Sequence, residues 1–212
     1  MNLTPRLLGF LGAIRREMNG ETADAMRYYG AAYGLNYGVS LPTLRSLARA
    51  EVADHEYAKF LYTQDIRELR LAGLWIAETD RLSGDELPFW AAGILNSEVA
   101  AEAAQALVSR WHPLAELVAA WTAVGQPTLL QYAALLGAAR NPQCSLELLS
   151  VVTEVVRRNP DDRLTAQGAV ALLAALGQKK ENRDAIVCTV SSLGSSPSAD
   201  FIHEEITWRF EA

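Results

Sequence analysis

Apolar residues in this chain recur three and four positions apart from one end to the other, and the alternating period of a half-buried strand is missing throughout. The β-branched residues are scattered among Ala and Leu, so strands have neither the pattern nor the local propensity behind them. That period predicts helices, and the punctuation supports them. Start signals stand at Thr4-Pro5, Ser40 ahead of Pro42, Asp54, the Ser83 to Glu86 capping box, Ser97, Pro127, Ser145 and Ser198. Stop signals stand at Gly20, Gly38, Gly125, Asn141-Pro142, Asn159-Pro160, Gly177 and Gly194.

Between these marks the spacing predicts about a dozen helices with short connections. From the middle of the chain they group into pairs beginning near Asp65, Ser97, Pro127 and Asp162, roughly 30 to 35 residues apart, as in helical-hairpin repeats. The predicted fold class is therefore all-α: stacked antiparallel helical hairpins forming a curved α-solenoid, as one domain over residues 1–212. Residue identities do not repeat with that period, and a compact irregular helical bundle stays open as the alternative. Two segments, Ala100 to Ala106 and Ala133 to Ala139, are alanine-dense, which lets neighbouring helices approach closely.

A chain of 212 residues, half of them apolar, buries a core without a metal or disulfide staple. Cys144 and Cys188 lack paired ligand spacing and read as small buried hydrophobes. Residues 1–18 carry Arg6, Arg15, Arg16 and Glu17 and read as an amphipathic helix rather than a signal peptide. No stretch approaches the roughly 20 apolar residues of a membrane span, which predicts a cytoplasmic protein with no membrane partner. A net charge of -6 argues against a surface basic all over while leaving a local basic stripe open. No Gly-rich phosphate loop, nucleophile elbow or helically spaced His pair is present, so no cofactor and no metal is expected. His55, His112 and His203 are isolated from one another in sequence and receive no catalytic role.

Three segments carry a resemblance. Met26-Arg27-Tyr28-Tyr29 followed by Tyr37-Gly38-Val39-Ser40-Leu41-Pro42-Thr43-Leu44-Arg45 is similar to a helix, an aromatic-Gly-aliphatic turn, a Pro and an Arg opening the next helix. Arg67-Glu68-Leu69-Arg70-Leu71-Ala72-Gly73-Leu74 looks like the helix that follows the first repeats. Phe201-Ile202-His203-Glu204-Glu205-Ile206-Thr207-Trp208 resembles a Phe-Ile-x-Lys-x-Ile-Gly-Trp terminal helix. In order and spacing these resemble the HEAT-like DNA alkylation repair enzymes, the bacterial alkylpurine DNA glycosylases.

The resemblance implies a chemistry and also removes parts of it. An N3- or N7-alkylated purine already carries positive charge and leaves easily. The enzyme must stabilise an oxocarbenium-like sugar with a carboxylate, hold the cationic nucleoside with aromatic faces and fix a phosphate with Arg. In the family these roles fall to an Asn-Trp-Asp-x-x-Asp type segment, to an Arg in the following repeat and to the Trp of the terminal helix. Here the first segment aligns with Asn96-Ser97-Glu98-Val99-Ala100-Ala101, which puts Ser97 in the stacking position and Ala101 in the catalytic one. Glu98 and Glu102 are the carboxylates at hand, although Glu102 is turned by about 100 degrees from the face its neighbour Ala101 uses. The second segment aligns with Leu129 to Ala134, and Tyr132 takes the place of the Arg without its bidentate cation. Trp208 retains the terminal-helix aromatic, Arg140 lies about two helical turns beyond Tyr132, and Arg45 opens an early helix. The other tryptophans, Trp75, Trp90, Trp111 and Trp121, lie on apolar helical faces and are assigned to packing.

Three readings follow. In the first, the chain is a divergent family member whose glycosylase residues are replaced and which binds nucleic acid or nucleoprotein, with Trp208, Tyr132, Arg140, Arg45 and Ser97 at the interface. In the second it remains a glycosylase, with Glu98 or Glu102 as the carboxylate acting on duplex DNA. In the third it is a protein-interaction scaffold that takes a partner on a concave face. The discriminator is whether Arg45, Arg110, Arg140 and Lys179 line one groove beside Trp208 or scatter.

Overall fold

In the computed structural model, which describes residues 3–31 and 33–211, every regular element is a helix and one isolated bridge, Leu35 with Ile66, is the only β-type pairing among the described residues. The chain groups into two compact units, residues 1–82 and 83–212. None of the described helices is long and apolar enough to cross a membrane.

The first unit holds α1 (Thr4–Arg16), α2 (Gly20–Tyr28), α3 (Leu41–Ala50), α4 (His55–Tyr62) and α5 (Arg67–Ile76). Its starts are set by local chemistry: Asn19, Ser40 and Asp54 each accept a hydrogen bond from the amide three residues on, at 3.0, 3.3 and 3.0 Å. Gly20, expected to end a helix, instead opens α2, because Asn19 before it supplies the cap. The centre of the unit is the α4–α5 crossing, where Gly73 lets the α5 backbone approach the carbonyl of Ala58 and the amide of Tyr62.

Two of the family-like segments meet here. Glu68, fully buried, accepts hydrogen bonds from the amides of Tyr37 (3.1 Å) and Val39 (3.2 Å), and Arg67 donates to Glu68 and to the Val39 carbonyl, both at 2.9 Å. The Tyr37-Gly38-Val39 turn is therefore held from within by the first turn of α5. Arg6 fastens α1 to the loop after α3 through Glu51 (3.0 Å) and Asp54 (2.8 Å), with its guanidinium 4.0 Å from the Tyr57 ring centre.

Tyr57 is fully buried and its hydroxyl has no hydrogen-bond partner among the described residues. Burial, reinforced by Glu51 and Asp54 and opposed by Arg6, pushes the phenol up to about 12. An acid whose folded pKa lies above its unfolded value near 10 keeps its proton in the fold while the unfolded chain loses it. This contribution to stability is intact below pH 10 and declines as the pH rises from there through 12. Tyr57→Phe is expected to be within about 1 kcal/mol of the parent at pH 7, since no protein partner is orphaned. It is also expected to flatten the alkaline loss; thermal melts between pH 8 and 11.5 read both, and an unchanged alkaline slope would count against the assignment.

The second unit is built from α6 (Leu87–Ala92), α7 (Ser97–Ala106), α8 (Leu114–Trp121), α9 (Thr128–Ala138), α10 (Leu149–Arg158), α11 (Arg163–Leu176), α12 (Arg183–Ser191) and α13 (Pro197–Glu211). Consecutive helices pair as hairpins, with α8 on α9, α10 on α11 and α12 on α13. The later member of each hairpin packs on its counterpart in the next, α7 on α9, α9 on α11 and α11 on α13, forming one layer. The starts read at Ser97, Pro127 and Asp162 open members of this layer rather than whole pairs.

The alanines serve the close approach predicted for them. Ala100, Ala103, Ala104, Ala133, Ala134 and Ala138 are fully buried, and Gly137 faces Val108 and the carbonyl of Ala104. Trp90, Trp111 and Trp121 lie in the core. Asn141, in the turn after α9, is buried and donates to the carbonyls of Val108 (2.8 Å) and Trp111 (2.9 Å). Ser83 and Ser145 differ from expectation in giving no side-chain cap, and they precede single 3-10 turns, Gly84–Glu86 and Leu146–Leu148, before α6 and α10 begin. The cysteines also differ. Both are free, Cys188 is exposed on α12 and Cys144 is half-buried, with burial raising its thiol.

Candidate nucleic-acid interface

Each helix of the α7–α9–α11–α13 layer has a stripe that its neighbours in the layer leave open, and α13 is also exposed at Asp200, His203, Glu204 and Thr207. On α7 it is Ser97, Ala101 and Gln105 with Glu98 beside them; on α9, Tyr132, Leu136 and Arg140. On α11 it is Gln167, Ala171 and Ala174; on α13, Phe201, Glu205, Trp208 and Arg209. The spacing of three or four residues puts each set on one helix face. Two open cavities of about 320 and 340 Å³, sharing Ala174 and Arg209, run along the seam of α11 and α13. A further cavity of about 440 Å³ lies where α9 and α11 end, beside Cys144 and Lys179, and none of the expected interface residues lines it.

The residues singled out in the sequence fall as follows. Ser97 is exposed in the first turn of α7, and the cap is Asn96, whose side chain accepts from the Val99 amide at 3.0 Å; Ser97 was expected to hold that place. Ala101 sits half-buried on the open stripe and Glu98 is half-buried beside it. Glu102 is 2% exposed and belongs to the covered side of α7, so its carboxylate does not reach the face that Ala101 shares. Tyr132 lies on the neighbouring helix, its ring against Gly168 of α11, and burial raises its phenol while Arg140 opposes the shift. Trp208 is 67% exposed, with the Arg209 guanidinium 5.8 Å from its ring centre. Ser97, Ala101 and Tyr132 are thus on adjacent helices, whereas α9 and α11 stand between α7 and Trp208. Arg45 lies in the first unit, its guanidinium 5.7 Å from the ring centre of Trp75, which was expected in the core and is half-buried.

The cations of the second unit do not line one groove. Arg110 folds back on the Ala106 carbonyl and Arg140 on that of Leu136 at 3.0 Å. Arg157 donates to Ser192 at 2.9 Å, Arg158 to Thr122 at 2.6 Å, and Arg183 to Gly177 at 3.1 Å. Guanidinium groups on the carbonyls of helix ends satisfy acceptors that would otherwise lack partners. Of the cations on the stripes, Arg209 pairs with Glu205 at 2.9 Å, and Arg163 at the head of α11 stacks 3.5 Å over Phe201. The open face is therefore mostly neutral, rich in Ala, Gln and aromatic surface. Reading along the chain missed the Arg163–Phe201 and Trp208–Arg209 groupings, although the Glu205/Arg209 spacing of four was a visible signal.

Charge is divided unevenly. Residues 1–82 carry ten Lys and Arg against ten Asp and Glu, while residues 83–212 carry nine against fifteen, so the second unit holds the whole net charge of -6. Among the described residues no group of three or more His, Cys, Asp or Glu is placed to hold a metal ion.

Residues 11–182 match the family described as DNA alkylation repair enzyme. The likenesses read at residues 26–45, 67–74, 96–101 and 129–134 fall inside that span, and the one read at 201–208, with Trp208, falls beyond it. No curated protein sequence matches the chain. Among solved structures, the chain is similar to a protein described as one of a new family related to the HEAT-like repeat DNA glycosylases with affinity for branched DNA structures. The TM-score is 0.75 at 15% identity, over 100% of this chain and 94% of that one, and the likeness establishes an all-α, HEAT-like fold. With the family match covering most of its residues, the chain belongs to the DNA alkylation repair enzyme family.

Proposed function

We propose that this chain is a DNA-binding member of its family that takes branched DNA and does not excise alkylated purines by the family's carboxylate route. The observation that carries the reading is the α7 stripe. Where the resemblance puts the catalytic Asp stands Ala101, where it puts the stacking Trp stands Ser97, and Glu102 is buried. A methyl group offers nothing to an oxocarbenium-like sugar, and a carboxylate within the packed side of a helix cannot approach one. Trp208 contributes an exposed aromatic face for an unpaired base, and Tyr132 and Ser97 contribute neutral hydrogen-bonding groups. The solved relative's affinity for branched DNA supports the choice of substrate.

The test uses a four-way junction, a plain duplex and a duplex carrying 7-methylguanine, each at 50 and 200 mM salt. Expected are binding to the junction that weakens with salt, preference for it over duplex, and no base release. Trp208→Ala is expected to lose about 1 to 3 kcal/mol of junction affinity, the usual contribution of one stacked base. Base release that disappears in Glu98→Gln would overturn the reading and install a glycosylase with a displaced carboxylate. Binding to none of the three DNAs would also overturn it and leave the neutral face of the second unit as a protein-docking surface.

A further inference from the structure

We infer that Arg49 of α3, with Arg45 one turn before it, forms a phosphate seat on Trp75 of α5, through which the first unit grips a DNA backbone; the inference rests on the DNA-binding reading above. Arg45 and Arg49 are four residues apart and so share a helix face, and both guanidinium groups stand over the same indole, at 5.7 and 4.5 Å from its ring centre.

Arg49 is exposed, and among the described residues it makes no ion pair and donates no hydrogen bond from its guanidinium. It differs in this from Arg110, Arg140, Arg157, Arg158 and Arg183 of the second unit, whose N–H groups are taken up by carbonyls. The acids that follow α3 do not neutralise it either, since Glu51 and Asp54 are both engaged by Arg6. Two like charges at a spacing of four repel on a helix. Stacking against an indole offsets this and preorganises a guanidinium, leaving its in-plane N–H edge open to a phosphate. The charge division points the same way, because residues 83–212 hold the whole net charge of -6 and residues 1–82 are neutral overall, so a phosphate meets less long-range repulsion at the first unit.

Binding of a synthetic four-way junction is measured from 50 to 200 mM salt for the parent, Arg49→Gln, Arg49→Lys and Lys180→Gln. Lys180 is exposed outside every stripe and makes the same change in net charge. Arg49→Gln is expected to weaken binding about five- to tenfold at low salt and to lower the slope of log Kd against log salt by about one, the signature of one lost phosphate contact. Arg49→Lys should keep the slope while losing part of the affinity, and Lys180→Gln should match the parent. If the parent binds and Arg49→Gln matches Lys180→Gln, the seat is overturned while the DNA-binding reading stands. A weaker Arg49→Gln with an unchanged slope also overturns it, because that pattern belongs to lost packing. A parent that binds no junction at any salt removes both.

Discussion

Glu68→Ala is expected to lose about 3 to 5 kcal/mol of unfolding free energy, the range found when one partner of a buried ion pair is removed. Its side chain is fully buried, as is that of Arg67 at 2% exposure, and the two are 2.9 Å apart. Truncation leaves the Arg67 guanidinium in the interior without the carboxylate beside it. It also strips the amides of Tyr37 and Val39 of the acceptors they meet at 3.1 and 3.2 Å. Against the roughly 5 to 15 kcal/mol total of an ordinary domain, that removes between about a fifth and nearly all of the stability. Glu68→Gln keeps an acceptor and removes the charge, so it should fall between parent and Ala. Replacing both residues, as Arg67→Met with Glu68→Gln, should be milder than Glu68→Ala alone, because no uncompensated charge remains inside. Urea midpoints for the three variants decide the matter. A Glu68→Ala midpoint within 1 kcal/mol of the parent would mean that the pair is not what holds the turn.

That turn also shows how far the sequence could be read. Asn19, Ser40, Asp54 and Asp162 cap helices because one side-chain oxygen meets an amide three residues away, and chemistry of that range can be read without knowing the fold. All but Asn19 were among the marks read along the chain. The pairing of Arg67 and Glu68 with Tyr37 and Val39 spans about thirty residues, and only the likeness to a family put both segments on the same list of landmarks. On α7 the limit is physical. A helix made largely of Ala has no distinct apolar face, so nothing local shows that Glu102 faces inward and Ala101 outward, and that orientation comes from the packing of α9. Arginines posed the same difficulty. Arg110 and Arg140 stand at helix ends in the sequence, but whether a guanidinium folds back on a carbonyl or reaches solvent is a rotamer choice settled by its neighbours. Trp208 is exposed because α13 packs on α11 and α12 with its other faces, which leaves the predicted aromatic available although it lies outside the residues that establish the family.

Gly38→Ala should be comparably damaging, and comparison with Gly30→Ala separates its two causes. Both glycines have left-handed backbones, φ +71° at Gly38 and +82° at Gly30. A side chain in that region costs roughly 1 to 2 kcal/mol by itself. At Gly30 nothing lies within 4 Å of an added Cβ, so only this conformational cost applies. At Gly38 the Cβ would stand 2.0 Å from the Asn19 carbonyl oxygen and 2.8 Å from the Ala23 amide nitrogen, both backbone atoms. Neither can swing aside as a flexible side chain would. The Asn19 carbonyl accepts from Ala23 at 3.0 Å and the Asn19 amide donates to Tyr37 at 2.8 Å, so moving it loosens the first turn of α2. Overpacking of this kind adds about 1 to 3 kcal/mol, giving a total of about 2 to 5 for Gly38→Ala against about 1 to 2 for Gly30→Ala. Because Glu68 binds the residues on either side of Gly38, the losses in Gly38→Ala and Glu68→Ala should fall short of additivity when combined, both breaking the same attachment. Chemical denaturation of the two single Gly variants and the Gly38→Ala/Glu68→Ala double variant gives all three quantities. Equal losses at Gly30 and Gly38 would show that the approach of Asn19 relaxes at little cost, and full additivity would show that the turn and the buried pair act independently.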